Sequence, residues 1–322
     1  MDVEPLAPLQ KKTAMIKRAQ NRIAQSRWSL SVTAIYCILM FIMLQVATQV
    51  SWIQLPMLCA ATVLMVLLNN TNSLIRIYSR MVSCSFGVMM IMSPFLFKSL
   101  NVSVAQLSFI IFLYFIFHAY QDKRAVGWVF YAYVALGIAS IVYVQSLYLL
   151  PILWVLQATN VLAASLRTYC ASLLGIAMPY WFMGAYCLYT GDPQAFADHF
   201  AALANWHTPF DFTSIDGNRL LTLAVVTLFG IIGTTHFLAY SYQDKIRTRM
   251  LFEMFIALEV CFMVLLLLQP QHFDMMLSLL IVVVSPLIGH FMSLTHSRLS
   301  NITFFALIII ALLITVSNIW MS

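Results

Sequence analysis

The chain has 322 residues, of which 62% are hydrophobic and only 9% charged, with a formal net charge of +6. That composition excludes a water-soluble globule, because too few polar side chains remain to cover one. The apolar stretches are continuous instead of alternating, so helices, and not a β-barrel, must satisfy the backbone in lipid.

Residues 1–29 form a basic, helix-permissive segment containing "KKTAMIKRAQNRIAQSRWSLS", suited to lie as a cytoplasmic amphipathic helix on an anionic leaflet. It lacks the short apolar core and small-residue cleavage site of a signal peptide. Residues 30–322 form the transmembrane domain. Apolar runs place spans at 30–48, 53–69, 82–97, 104–120, 126–143, 146–163, 169–190, 220–241, 251–268, 273–294 and 302–320. The expected fold is therefore an all-α polytopic transmembrane helix bundle of about 11 spans.

Basic residues set the orientation, because cytoplasmic connections retain Lys and Arg. Lys11, Lys12, Lys17, Arg18, Arg22 and Arg27 precede the first span. With alternating spans, Arg76, Arg80, Lys123, Arg124, Arg167, Lys245, Arg247, Arg249 and Arg298 fall on the same side, and only Lys98 and Arg219 fall opposite. The expectation is N-inside and C-outside.

Against this scarcity of charge, Tyr-Gln-Asp-Lys occurs twice, in "FHAYQDKRAVGW" at 117–128 and "YSYQDKIRTRMLF" at 240–252. Both copies fall at inner span ends, where an interfacial Tyr and a short charged turn return the chain to the next helix. The motif reads first as a turn. A duplication pairing spans four and five with eight and nine is the alternative, although the flanking residues agree poorly.

One external connection is long enough for its own structure, an outer amphipathic loop at 191–218 within "TGDPQAFADHFAALANWHTPFDFTSIDGNR". Asp192 suits an N-cap with Pro193 at the first helical position. Phe196, Phe200 and Leu203 then make an apolar stripe that can rest on the membrane or lid a cavity. Asp198, His199, His207, Asp211 and Asp216 match no compact metal spacing, so no metal or cofactor is expected. Cys37, Cys59, Cys84, Cys170, Cys187 and Cys261 form no CxxC pair and read as apolar packers.

Ionisable groups inside lipid are costly, which makes function their default reading. Glu259, in "FEMFIALEVCFMV", lies deepest and must be protonated or partnered. Glu253 stands nearer the surface and can pair with Arg249 four residues earlier. His118, His236 and His290 lie near inner span ends; with Glu253 and Arg249 they can line a polar vestibule, or each can cap its own helix. Pro286, between Ser285 and Gly289, marks the tenth span as the candidate broken helix.

From Val126 to Gly191 the chain resembles an uncharacterised multipass inner-membrane family of Bacteroidota-type bacteria. The resemblance lies in Gly137-Ile138-Ala139-Ser140 leading to Tyr143, then Trp154, Arg167, and Leu174-Gly175 leading to Met178-Pro179-Tyr180; "LLNNTNSLIRIYSR" also fits. It implies a Gram-negative inner-membrane location and no assigned activity. Three functions stay open: support of cell-envelope biogenesis through a lipid-linked precursor or surface polysaccharide, proton-coupled small-molecule transport, or a non-catalytic membrane subunit. Whether the chain is an enzyme is open with them. His207, Arg219 and His199 are the outer-loop candidates for polysaccharide chemistry. No Walker motif or other nucleotide loop occurs, and topology accounts for the basic residues, so the expected partners are membrane lipid, a lipid-linked substrate or membrane proteins, not nucleic acid.

Overall fold

The computed structural model describes residues 19–206, 208–213, 215–295 and 298–321, and every described helix or turn belongs to an all-helical architecture. α1 (Ala19–Ala24) leads to α2 (Ser29–Thr48) and α3 (Gln54–Asn72). α4 (Met81–Met92) is prolonged by a 3-10 turn, Pro94–Lys98, before α5 (Leu100–His118). α6 (Val126–Val142) reaches a 3-10 turn, Val144–Leu149, that opens α7 (Leu150–Thr159). α8 (Leu166–Thr190) and the short α9 (Pro193–Ala201) precede α10 (Gly217–Tyr240). A 3-10 turn, Ser241–Gln243, leads to α11 (Ile246–Leu268), then Pro270–His272 turns the chain into α12 (Phe273–Leu294), and α13 (Arg298–Trp320) follows.

Eight of these helices, α2, α3, α5, α8, α10, α11, α12 and α13, are long and apolar enough to cross a membrane. This is a membrane protein whose apolar outer faces meet lipid. α4, α6 and α7 are shorter apolar helices.

Hydrogen bonds sort the helix termini into two ends. Arg247 Nη2 donates to Asn72 Oδ1 at 2.8 Å and to the Phe117 carbonyl at 3.2 Å, tying α3, α5 and α11 together. Nearby, Asn160 Nδ2 donates to the Met250 carbonyl at 3.2 Å. This basic end also holds Arg76, Arg80 and Lys245. At the opposite end, Arg219 pairs with Asp274, and Asn318 Nδ2 donates to the Met92 carbonyl at 2.8 Å. That is the loop end, since α9 lies there.

α12 is the axis of the bundle, its whole spanning window buried within protein. It packs against α4, α5, α10 and α11. Small residues let the backbones touch: a Cβ on Gly233 of α10 would stand 2.5 Å from the Leu287 carbonyl carbon. Ser278 and Ser293 hydroxyls donate back to the Met275 and Gly289 carbonyls, so polar side chains in this apolar centre are satisfied locally. The sequence marks this span as the broken one, yet α12 is continuous through Pro286. Pro286 removes the N–H that would bond the Val282 carbonyl, and the helix continues past that one missing bond.

The described end of the basic N-terminal segment is anchored on protein. Gln20 Nε2 donates to the Met292 carbonyl at 3.0 Å, and the Gln20 backbone N–H donates to Asn301 Oδ1 at 3.2 Å. α9 has the expected start, with Asp192 Oδ1 accepting from the Ala195 N–H at 3.2 Å. Its stripe packs on α8: Phe200 and Phe196 lie 4.9 and 6.5 Å, ring to ring, from Tyr180.

Candidate functional site

The polar groups of the basic end converge on Asp244. α10 ends one turn after His236, the 3-10 turn Ser241–Gln243 reverses the chain, and Asp244 follows in extended conformation. Its side chain is only 2% exposed, and Oδ2 lies 3.0 Å from His290 Nε2 on α12. The other ring nitrogen of His290, Nδ1, is 3.3 Å from His236 Nδ1. Arg76 completes the group, with Nη1 3.9 Å from Asp244 Oδ1 and Nη2 donating to Gln243 Oε1 at 2.7 Å.

Aromatic rings wall this cluster on one side. Phe237 and Phe252 stack at 4.9 Å, and His290 meets them edge-on at 5.5 and 5.0 Å. On the other side a cavity of about 350 Å³ is lined by Arg76, His236, Tyr240, Asp244 and His290. His290 has two satisfied protonation states here. Neutral, it donates Nε2–H to Asp244 and accepts at Nδ1 from His236; charged, it donates to both. Asp244, His290 and His236 thus form a hydrogen-bonded row beside a cavity.

Glu259 stands apart, in the middle of α11. Thr234 Oγ1 donates to Glu259 Oε2 at 2.8 Å. The carboxylate occupies the space above bare Gly230 of α10, where any Cβ would collide with Oε1. The glycine therefore makes room for a buried acid between two helices.

The other expected residues separate. His118 Nδ1 lies 2.7 Å from the carbonyl of Tyr114 on its own helix, and its ring stacks on Trp128 at 4.8 Å. Glu253 Oε2 accepts from Asn160 Nδ2 at 3.4 Å, and no ion pair with Arg249 forms among the described residues. Only His236 and His290 of the expected vestibule meet. At the loop end, Arg219 Nη1 lies 3.0 Å from Asp274 Oδ1 and its guanidinium 5.2 Å from the Phe95 ring. A cavity of about 450 Å³ opens there beside Lys98 and Asp216. His199 Nε2 is 3.4 Å from the Tyr180 hydroxyl, and partial burial holds its pKa below the usual histidine value. His207 lies outside the described residues. No metal-binding group of three His, Cys, Asp or Glu forms among the described residues.

Asp244 and Arg76 are missed by sequence reasoning. The signal was available in the second Tyr-Gln-Asp-Lys, but the first copy carries the same four letters with a different fate. Asp122 is exposed and caps a turn, accepting from the Arg124 N–H at 2.8 Å. No protein-family model, curated protein or solved structure matches the chain.

Proposed function

We propose that this is a multipass protein of a bacterial inner membrane that supports cell-envelope biogenesis by handling an amphiphilic, lipid-linked precursor. The carrying observation is the juxtaposition at the basic end of a polar, titratable cavity with an apolar groove. The groove, about 520 Å³, is lined by Trp28, Tyr36, Met81, Phe229, Met292 and Phe304 among others. Met292 lies two residues beyond His290, so groove and polar cluster share α12. A headgroup beside Asp244 and His290 with its chain in the groove uses both surfaces.

The reading includes eleven crossings, N-inside and C-outside. Three apolar helices are short, but a 3-10 turn rises about 2.0 Å per residue against about 1.5 Å in an α-helix. Met81–Lys98 and Val144–Thr159 thereby reach about 28 and 27 Å, near the roughly 30 Å of the hydrocarbon. The basic end is then cytoplasmic.

A second reading, proton-coupled transport, is favoured by Glu259, a carboxyl group deep in a spanning helix that can carry a proton. One experiment separates the two. Envelope lipids, lipid-linked intermediates and surface glycans are compared in a deletion strain carrying wild type, Asp244→Asn or Glu259→Gln. An intermediate that accumulates and is not cleared by Asp244→Asn supports envelope function. An unchanged envelope profile sinks it and directs attention to uptake by the Glu259→Gln strain. Rescue by both variants of a real envelope defect makes the chain a non-catalytic subunit.

A further inference from the structure

A second cavity at the basic end, about 540 Å³, lies between the α3–α4 connection and the start of α11. Its lining brings together Arg76, Arg80 and Lys245 against a single carboxylate, Asp244. Three cations face one carboxylate, which His290 contacts at 3.0 Å through Oδ2 while Oδ1 makes no hydrogen bond, so the space keeps a net positive charge. Its volume falls within the range of small-molecule sites.

Arg80 carries the argument furthest. Its Nε donates to the Tyr78 hydroxyl at 3.3 Å, and the guanidinium lies 5.3 Å from that ring. Its Nη1 is buried with no hydrogen-bond acceptor. A buried charged donor without an acceptor is costly, and native structures leave few of them unless something else supplies the partner. Asn69 adds a complementary vacancy, for its Nδ2 donates to the Ser79 carbonyl at 3.1 Å while Oδ1 is buried without a donor. Three cations on one lining suit a ligand with anionic oxygens.

We propose that this cavity is a binding site for a phosphate or diphosphate group, held by Arg80 with Arg76 and Lys245. Arginine presents parallel N–H groups that fit phosphate oxygens, and Lys245 adds a compact charge at the mouth. The phosphate belongs either to a lipid headgroup or to a soluble phosphate ester. Only the first source rests on the envelope reading above.

The test uses the full-length protein in nanodiscs of uncharged lipid, with inorganic diphosphate and a short-chain phosphatidic acid as separate probes. Binding is read by isothermal titration calorimetry, with sulfate at matched ionic strength as the control anion. Wild type should bind at least one probe saturably and in preference to sulfate. Arg80→Gln should weaken that binding about tenfold or more, Arg80→Lys less, and Lys123→Gln at the first, exposed Tyr-Gln-Asp-Lys turn should leave it unchanged. Response to both probes assigns a soluble phosphate ester, and response to the lipid alone assigns a headgroup. Size-exclusion profiles check folding, and the exposed Lys245→Gln replaces Arg80→Gln if the latter fails to fold. Absence of saturable binding, an equal response to sulfate, or undiminished affinity in the Arg80 and Lys245 variants overturns the site. Binding that survives while the deletion strain keeps a normal envelope removes the envelope reading and leaves the site standing.

Discussion

Asp122 and Asp244 share a tetrapeptide and differ in everything that burial changes. Replacing Asp244 with Ala strands the His290 Nε2–H in an apolar wall, a loss of about 2 kcal/mol, whereas Asp122→Ala at an exposed turn should stay within about 0.5 kcal/mol. Thermal unfolding of both variants in detergent checks the contrast, and equal shifts would count against the buried Asp244–His290 contact. Gly230 makes a second comparison. Gly230→Ala should destabilise by about 1–3 kcal/mol through collision with Glu259, and by much less in a Glu259→Ala background. His199 bears on pH. Desolvation favours its neutral form, so the folded pKa lies below the unfolded value of 6.5. Docking of α9 is then fully supported above that value and weakens as pH falls below it. Protection factors over residues 193–204, corrected for the slower intrinsic exchange in acid, should be lower at pH 5 than at pH 7.5, and identical protection would refute the coupling. The burial of Glu259 was legible because it is an acid deep in an apolar run. That of Asp244 was not, since the tetrapeptide that holds it also holds the exposed Asp122. Its burial is decided by the distant packing of α10 on α12.

Helices were the most legible feature, because continuous apolar runs in lipid leave the backbone no other means of satisfaction. Each of the eleven expected segments overlaps a helix, eight of them long and apolar enough to cross a membrane, and the N-cap at Asp192 followed from local chemistry. What the runs concealed was how they associate. Gly233 records one such contact, and Gly233→Ala should force α10 and α12 apart at Leu287, with loss of stability and of the His236–His290 contact. His118 shows the limit of depth as a guide: it lies as near its helix end as His236, but faces Trp128 and joins no cluster. The repeated tetrapeptide gains context as well. The order helix, Tyr-Gln-Asp-Lys, helix, 3-10 turn, helix recurs in α5 to α7 and in α10 to α12. That shared order exceeds what the poorly matching flanks suggest, although α7 is far shorter than α12.

For the bundle, charge asymmetry is the informative quantity. Basic connections gather where the Asp244 cluster and the Arg80 cavity lie, and the opposite end carries the amphipathic α9. In a cysteine-free background, a single cysteine at Gln121 should resist a membrane-impermeant maleimide in intact cells, while one at Asn205 should react. Reversed labelling would invert the proposed orientation. The enclosure of α12 also has a consequence for biosynthesis. This helix is apolar enough to partition into lipid by itself, yet in the finished protein its spanning window meets only other helices. Its neighbours must exchange lipid contacts for contacts with it after all have entered the bilayer, and α11, which immediately precedes it, is the natural first partner. Until that exchange is complete, the imidazole of His290 faces acyl chains without Asp244. A stalled intermediate with α12 on the periphery would leave His290 without its partner, so the polar cluster closes only when α12 is enclosed.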